Sequence, residues 1–168
     1  ADTFLSRLEQ TLMLKDVITG LVKSVIFAQL IVSVGAISGL RTKGGADAGE
    51  TVRVESAEGA FLAWGAYSPQ SRIRVRVWSF DEGQRIDAAF FKQRLRQALA
   101  LRSPLQIASN GLRLVHGESD GLPGLIVDRY ADLLVAQFLS SGTEKWKSVI
   151  ADALLSATGL SRLYERSD

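Results

Sequence analysis

The chain contains no cysteine. Disulfides, thiolate metal sites and a cysteine nucleophile are therefore excluded from these 168 residues, and the composition fits a reducing compartment. Histidine occurs once, at His116, so any metal site would have to rest on carboxylates. Charge of either sign is scarcely in excess: the formal net charge is +2, which is weak evidence for an anionic partner. Also missing is a glycine-rich phosphate loop set between a strand and a helix, so no dinucleotide or P-loop fingerprint is present. What is present suffices for a folded protein. An apolar fraction of 46% supports a real core, in one ordinary domain or two small ones.

The most informative stretch is Leu112 to Phe138, LRLVHGESDGLPGLIVDRYADLLVAQF. Leu112, Leu114 and His116 alternate with Arg113 and Val115; Leu125 to Val127 and Leu133 to Phe138 are two further apolar runs of strand length. The pattern predicts a small antiparallel sheet. His116 and Gly117-Glu118-Ser119-Asp120-Gly121-Leu122-Pro123-Gly124 join the first two strands through three glycines able to take positive φ and a proline of fixed φ. Asp128-Arg129-Tyr130-Ala131-Asp132 is short enough to close a hairpin. Residue types alone leave His116, Glu118, Ser119 and Asp120 open between a polar site and a well-capped turn. Asp120 and Ser119 are expected to bond loop amides, and Asp128 to pair with Arg129 or Arg166. The spacing of His116, Glu118, Asp120 and Asp128 fits no zinc or calcium pattern, so no metal is expected. Ser119, His116 and Asp120 lack the strand-turn-helix elbow of a hydrolase, and no catalytic residue is assigned.

Upstream, Val52 and Val54 alternate with Arg53 and Glu55, a second strand spans Ala60 to Tyr67, and Ser68 to Ser71 form a turn. Ile73, Val75 and Val77 then alternate with Arg72, Arg74, Arg76 and Trp78. One face of that strand is predicted to be core, the other to carry three arginines and an indole. Such a face could grip phosphates and stack a base; a solvated strand face paired with carboxylates is the other reading. From Gln70 to Arg102 eight basic residues stand against three acidic ones. Asp87 is a good N-cap for a helix carrying Phe90, Phe91, Leu95, Ala98, Leu99 and Leu101, with Lys92, Arg94 and Arg96 among them, ended by Ser103-Pro104. Thr143 is expected to cap a helix over Trp146, Val149, Ile150, Ala153 and Leu154, which Gly159 stops; Leu160 to Tyr164 reads as a last strand.

The first forty residues differ in character. Asp2 to Leu14 is an amphipathic helical pattern, and Ser24 to Leu40 is nearly all apolar or small, one residue short of the usual membrane-helix length of about 18. Membrane association through residues 20–40 is one reading and a buried soluble helix the other. The acidic start and the lack of a cleavage motif argue against a secretory signal.

HGESDGLPGLIVDRY, with Gly65-Ala66-Tyr67-Ser68-Pro69, Ile73 to Trp78 and the terminal Tyr164-Glu165-Arg166-Ser167-Asp168, resembles bacterial 23S ribosomal RNA cytosine-5 methyltransferases from about Gly45 to Asp168. These are S-adenosylmethionine enzymes that begin with a PUA-like RNA-binding domain, followed by a small α/β EEHEAD domain and a Rossmann-like catalytic domain. The resemblance implies an α/β (α+β) chain: a helical segment over 1–44, a partial PUA-like module over 45–82, a linking helix over 83–104 and an EEHEAD-like unit over 105–168. It implies ribosomal RNA as partner, Arg72, Arg74, Arg76 and Trp78 as the RNA-binding set, and a cytoplasmic location. The family's cysteine nucleophile and its S-adenosylmethionine pocket lie after YERSD, so neither catalysis nor a cofactor is expected of this chain. A second resemblance, of Leu5 to Ala48, is to the permease subunit of phospholipid-transport ABC transporters. It implies a chimera joined at Gly45 to Glu50, with a membrane-associated transporter fragment or an orphan structural domain as alternative readings.

Overall fold

The computed structural model describes residues 45–167 apart from 57, 106 and 107. The helices expected in Asp2 to Leu14 and Ser24 to Leu40, and nearly all of the transporter-like stretch, lie outside the described residues.

Gly45 to Glu50 leads directly into the fold. Glu50 N–H donates to the Asp47 carbonyl at 3.1 Å, and Gly49 N–H to the Tyr67 carbonyl at 2.7 Å. Three strands follow as an antiparallel meander, β1 (Thr51–Glu55), β2 (Phe61–Tyr67) and β3 (Val75–Ser79). Val54, Ala63 and Val75 bury one side of it, with Val52, Leu62, Tyr67 and Val77 packed around them.

The strand expected from Arg72 onward starts only at Val75, because residues 71–73 form a bend. Strict alternation also fails beyond Val77. Trp64 pairs with Ser79 while Gly65 pairs with Val77, so Trp78 is the extra residue of a bulge. A bulge re-aims the side chain it carries. Trp78 turns inward, 2% exposed, and packs edge-on against Phe90 and Phe91 at ring separations of 6.4 and 5.3 Å.

Helix α1 (Ala88–Arg102) is capped as its sequence dictates: Asp87 Oδ1 accepts from Ala89 N at 2.9 Å and from Phe90 N at 3.1 Å. It buries Phe90, Phe91, Leu95 and Ala98. Leu101, expected on the same face, is exposed at the helix end.

The second sheet has the order β4 (Gly111–His116), β5 (Leu125–Tyr130), β6 (Leu133–Phe138), β7 (Arg162–Glu165). Its first three strands are antiparallel, as the hairpin signals require, but β7 runs parallel to β6. The reason is the helical connection: α2 (Ser141–Lys145) and α3 (Lys147–Thr158) carry the chain back across the sheet. The expected cap at Thr143 is at Ser140 instead, where Ser140 and Thr143 form a reciprocal capping box; Gly159 at φ 69° ends α3.

Helices α1 and α3 cover one face of this sheet. Leu114, Val115, Leu125, Val127, Leu134, Ala136 and Phe138 meet Phe91, Leu95, Ile150 and Leu154 there. Trp78 and Ala66 belong to the same core, so the meander is tied to the second unit by its own side chains. At that junction a Cβ on Gly142 would lie 2.4 Å from Ala66 Cβ and 2.7 Å from Trp78 Cζ2. Only glycine lets α2 approach so closely.

Candidate nucleic-acid interface

The arginines singled out by the sequence do not form one row. Arg72 lies exposed in the bend before β3 and has no carboxylate partner among the described residues. Arg74, also before the strand, donates from Nη1 to the Pro69 carbonyl across the turn. Arg76 is in β3 and half-buried, with Nη1 2.7 Å from Glu118 Oε1. That bond spans the meander and the loop after β4, so Arg76 is engaged as a strut. Trp78 is inside the core, its indole N–H without an acceptor, and cannot offer a ring to a base. The bulge that turns it inward leaves no alternation for a sequence to show.

The loop after β4 is a built turn. Gly117–Asp120 is one 3-10 turn, and Gly117, Gly121 and Gly124 take φ of 52°, 67° and 82°. Asp120, its side chain 3% exposed, holds the loop shut. Its Oδ2 accepts from His116 N at 2.6 Å, and its two oxygens take Arg102 Nη1 and Nη2 at 2.6 and 2.7 Å. Arg102 Nη1 also donates to the Ala98 carbonyl at 2.9 Å, closing the end of α1. Ser119 and Glu118 stand exposed at the loop surface and Pro123 is buried; of the hydrogen bonds to loop amides expected of Asp120 and Ser119, the one seen among the described residues is accepted by Asp120.

Asp128 is not paired with Arg129, its neighbour in the chain. It accepts a fork from Arg113, Nε to Oδ1 at 2.9 Å and Nη2 to Oδ2 at 3.0 Å, because β4 and β5 are registered with the two residues opposite each other. The bond to Asp128 raises the Arg113 pKa above its ordinary value, and Arg113 Nη1 lies 3.4 Å from His116 Nδ1. Arg129 instead donates to the Ala131 carbonyl at 2.9 Å. Sequence reasoning missed Arg113 and Arg102 as partners; hairpin register was the signal available for Arg113.

Among the described residues Arg53, Arg76, Arg85, Arg102, Arg113, Lys145, Lys147 and Arg162 are paired with carboxylates. Arg53 sits between Glu55 and Glu82 at 2.5 and 2.6 Å, and Lys147 between Glu144 and Glu165 at 2.6 and 2.8 Å. Arg72, Lys92 and Arg96 have no such partner among the described residues. Lys92 and Arg96, one turn apart on α1, line a groove of about 330 Å³ against Ala153, Ser156 and Ala157 of α3, floored by Leu99. Among the described residues no group of His, Asp and Glu could hold a metal ion, and no helix is long and apolar enough to cross a membrane. Residues 20–40 lie outside that statement.

Comparison with known proteins adds what geometry cannot. A family model described as a PUA-like domain matches residues 22–80. Ribosomal RNA large subunit methyltransferase I of Aliivibrio fischeri is 48% identical over 130 residues, which are 76% of this chain and 33% of that protein. The enzyme of the same name from Shewanella frigidimarina is 47% identical over 123 residues, covering 72% and 31%. Both of these relatives of the chain carry the name of a ribosomal RNA methyltransferase. The chain spans about a third of the length of the curated relatives it matches. The fold is similar to that of a chain from Streptococcus mutans described as a SAM-dependent methyltransferase, with TM-score 0.65, 16% identity and coverage of 74% of this chain and 34% of the other. A second solved methyltransferase chain, complexed with SAH, gives TM-score 0.68 at 16% identity over 84% and 38%. The PUA-like match begins at residue 22 and runs through the expected join at Gly45 to Glu50, so most of the stretch that resembles a transporter permease falls inside it. The transporter reading, and with it membrane association, gains no support.

Proposed function

We propose that this chain is the RNA-recognition portion of an S-adenosylmethionine-dependent ribosomal RNA cytosine-5 methyltransferase that works in the cytoplasm. In this reading residues 45–82 belong to the PUA-like module, 83–104 link, and 105–168 form the EEHEAD-like unit. Methyl transfer and binding of the donor belong to the part of the relatives that this chain does not match. The observation that carries the proposal is the 48% identity over 130 residues to a large-subunit rRNA methyltransferase. The PUA-like match and the uncommitted cations support it, and the cytosine-5 assignment rests on the HGESDGLPGLIVDRY and YERSD resemblance. Arg72 and Arg74 contact phosphate at the edge of the meander, with Arg76 positioned by Glu118 behind them. Lys92 and Arg96 form a second phosphate contact in the α1–α3 groove.

The test is binding of single-stranded 23S rRNA fragments as a function of salt. Each phosphate contact removed lowers the slope of log K against log salt by about 0.7. Replacing Arg72 and Arg74 by Gln, and separately Lys92 and Arg96 by Gln, should weaken binding and flatten the slope by about 1.4 in each pair. Unchanged affinity and slope in both double variants would remove the RNA assignment.

A further inference from the structure

The face of the second sheet that α1 and α3 leave uncovered has a composition of its own. Strand pairing fixes which residues share it. Arg113 on β4 lies opposite Asp128 on β5, which pairs with Val135 on β6, which pairs with Tyr164 on β7. A second row runs Gly111, Tyr130, Leu133, Arg162, and a third His116, Ile126, Gln137. The inward partners agree with this placement. Leu163, between Arg162 and Tyr164, packs on the core, and Glu165 reaches Lys147 on α3 at 2.8 Å.

Two large rings stand out from this face, Tyr130 at 54% and Tyr164 at 61% exposure. Ile126, Leu133 and Val135 between them are half-buried, so they make no broad apolar patch. A Cβ on Gly111 would meet Tyr130 Cδ1 and Cε1 at 3.4 Å. One side of the Tyr130 ring thus rests on the β4 backbone and the other is open. Two guanidinium groups share the face with the rings: Arg113, held by Asp128 through a two-bond fork, and Arg162, held by Asp132 through one bond at 2.9 Å. With strand spacing of about 4.8 Å and rise of about 3.3 Å per residue, the two tyrosine backbones are about 12 Å apart. That is too far for the rings to cover one base and suits two separate ones.

We propose that this open face is a base-stacking platform for single-stranded RNA, with Tyr130 and Tyr164 as the stacking rings and Arg113 and Arg162 beside them as fixed donors. Unpaired bases offer flat π surfaces with polar edges, and four-stranded sheets with exposed aromatics read single strands in this way. An apolar helix or strand from another protein would want a continuous greasy surface, which the Arg113–Asp128 and Arg162–Asp132 ion pairs interrupt. The site is separate from Arg72, Arg74 and the α1–α3 groove, and it rests on the RNA reading above.

The test uses the full chain with a fluorescent single-stranded 23S rRNA fragment and the matched duplex. Tyr130→Ala and Tyr164→Ala should each weaken single-strand binding by about fivefold or more and leave the salt slope unchanged, while the Phe variants stay within about twofold of the parent. Photo-crosslinking of 5-iodouridine RNA to the parent chain, mapped by mass spectrometry, should mark Tyr130 or Tyr164. If an Ala variant fails to fold, the crosslinks decide: RNA attached at Tyr130 or Tyr164 supports the platform, and RNA attached only elsewhere overturns it. A parent that binds RNA, weakens when Arg72 and Arg74 become Gln, yet is indifferent to both Ala variants and crosslinks elsewhere would overturn the platform and leave the RNA reading standing. A parent that binds no RNA removes both. Ala variants that alter self-association without altering RNA affinity would make the face a protein contact and overturn the proposal.

Discussion

Asp120 shows how much one carboxylate can hold. It is almost fully enclosed, meets Arg102 through two bonds and satisfies the His116 amide, so its removal strands a largely buried guanidinium and an amide together. Asp120→Ala should cost about 3 kcal/mol of stability, the lower end for breaking a buried pair from one side, measured as a shift in urea midpoint. Ala131 is the opposite case. It sits at φ 52° in the β5–β6 turn, a region that an L side chain enters at a cost. Ala131→Gly should stabilise by about 0.5–1 kcal/mol with the urea m-value unchanged. At this scale the sequence spoke unevenly. The three loop glycines and the Asp87 cap were legible because backbone geometry demands particular residue types. The partners of Asp128 were not, since an ion pair depends on which residues two strands set opposite each other.

Among the elements, period-two and period-3.6 patterns located β1, β2, β4 to β6 and α1 from the sequence. They misjudged β3 at both ends: the bend over residues 71–73 delays its start, and the bulge at Trp78 breaks the period with nothing local to Val75-Arg76-Val77-Trp78 to announce it. The direction of β7 was not legible, because a four-residue strand carries no sign of whether it pairs parallel or antiparallel. A close contact between elements is that of α2 with β2 and β3 at Gly142. Gly142→Ala must displace both Ala66 and the Trp78 ring or push α2 away from them, and overpacking of this kind costs about 1–3 kcal/mol. Thermal unfolding of this variant should shift down by several degrees, as a loss of about 1–3 kcal/mol implies for a domain of this size.

Among the described residues the two small sheets are joined through the larger of two cores: Ala66 and Trp78 of the meander pack with the residues that α1 and β4 to β6 bury, while Val54, Ala63 and Val75 form a smaller cluster of their own. The candidate RNA surfaces were only partly legible for that reason. The basic excess between Gln70 and Arg102 is real, yet tertiary pairing consumes Arg76 and Arg102, and the stacking ring expected at Trp78 has become part of the joint. If methyl transfer belongs to the unmatched part of the relatives, titrating S-adenosylmethionine into this chain in a calorimeter should give no saturable heat, and one site per chain would sink the division of labour proposed above.

The buried indole of Trp78 also makes the joint visible. The chain has three tryptophans. Trp64 donates its N–H to the Glu82 carbonyl at 3.0 Å in exposed surroundings, whereas Trp78 and Trp146 hold theirs against no acceptor. An indole kept from water and from hydrogen bonds emits at shorter wavelength, so separation of the meander from the second unit would redden the Trp78 emission. Phe91, which touches both rings at 5.3 and 4.8 Å, sits where such a change would be felt by both chromophores at once. The contact that fastens the two sheets is thereby an optical gauge of whether they are fastened.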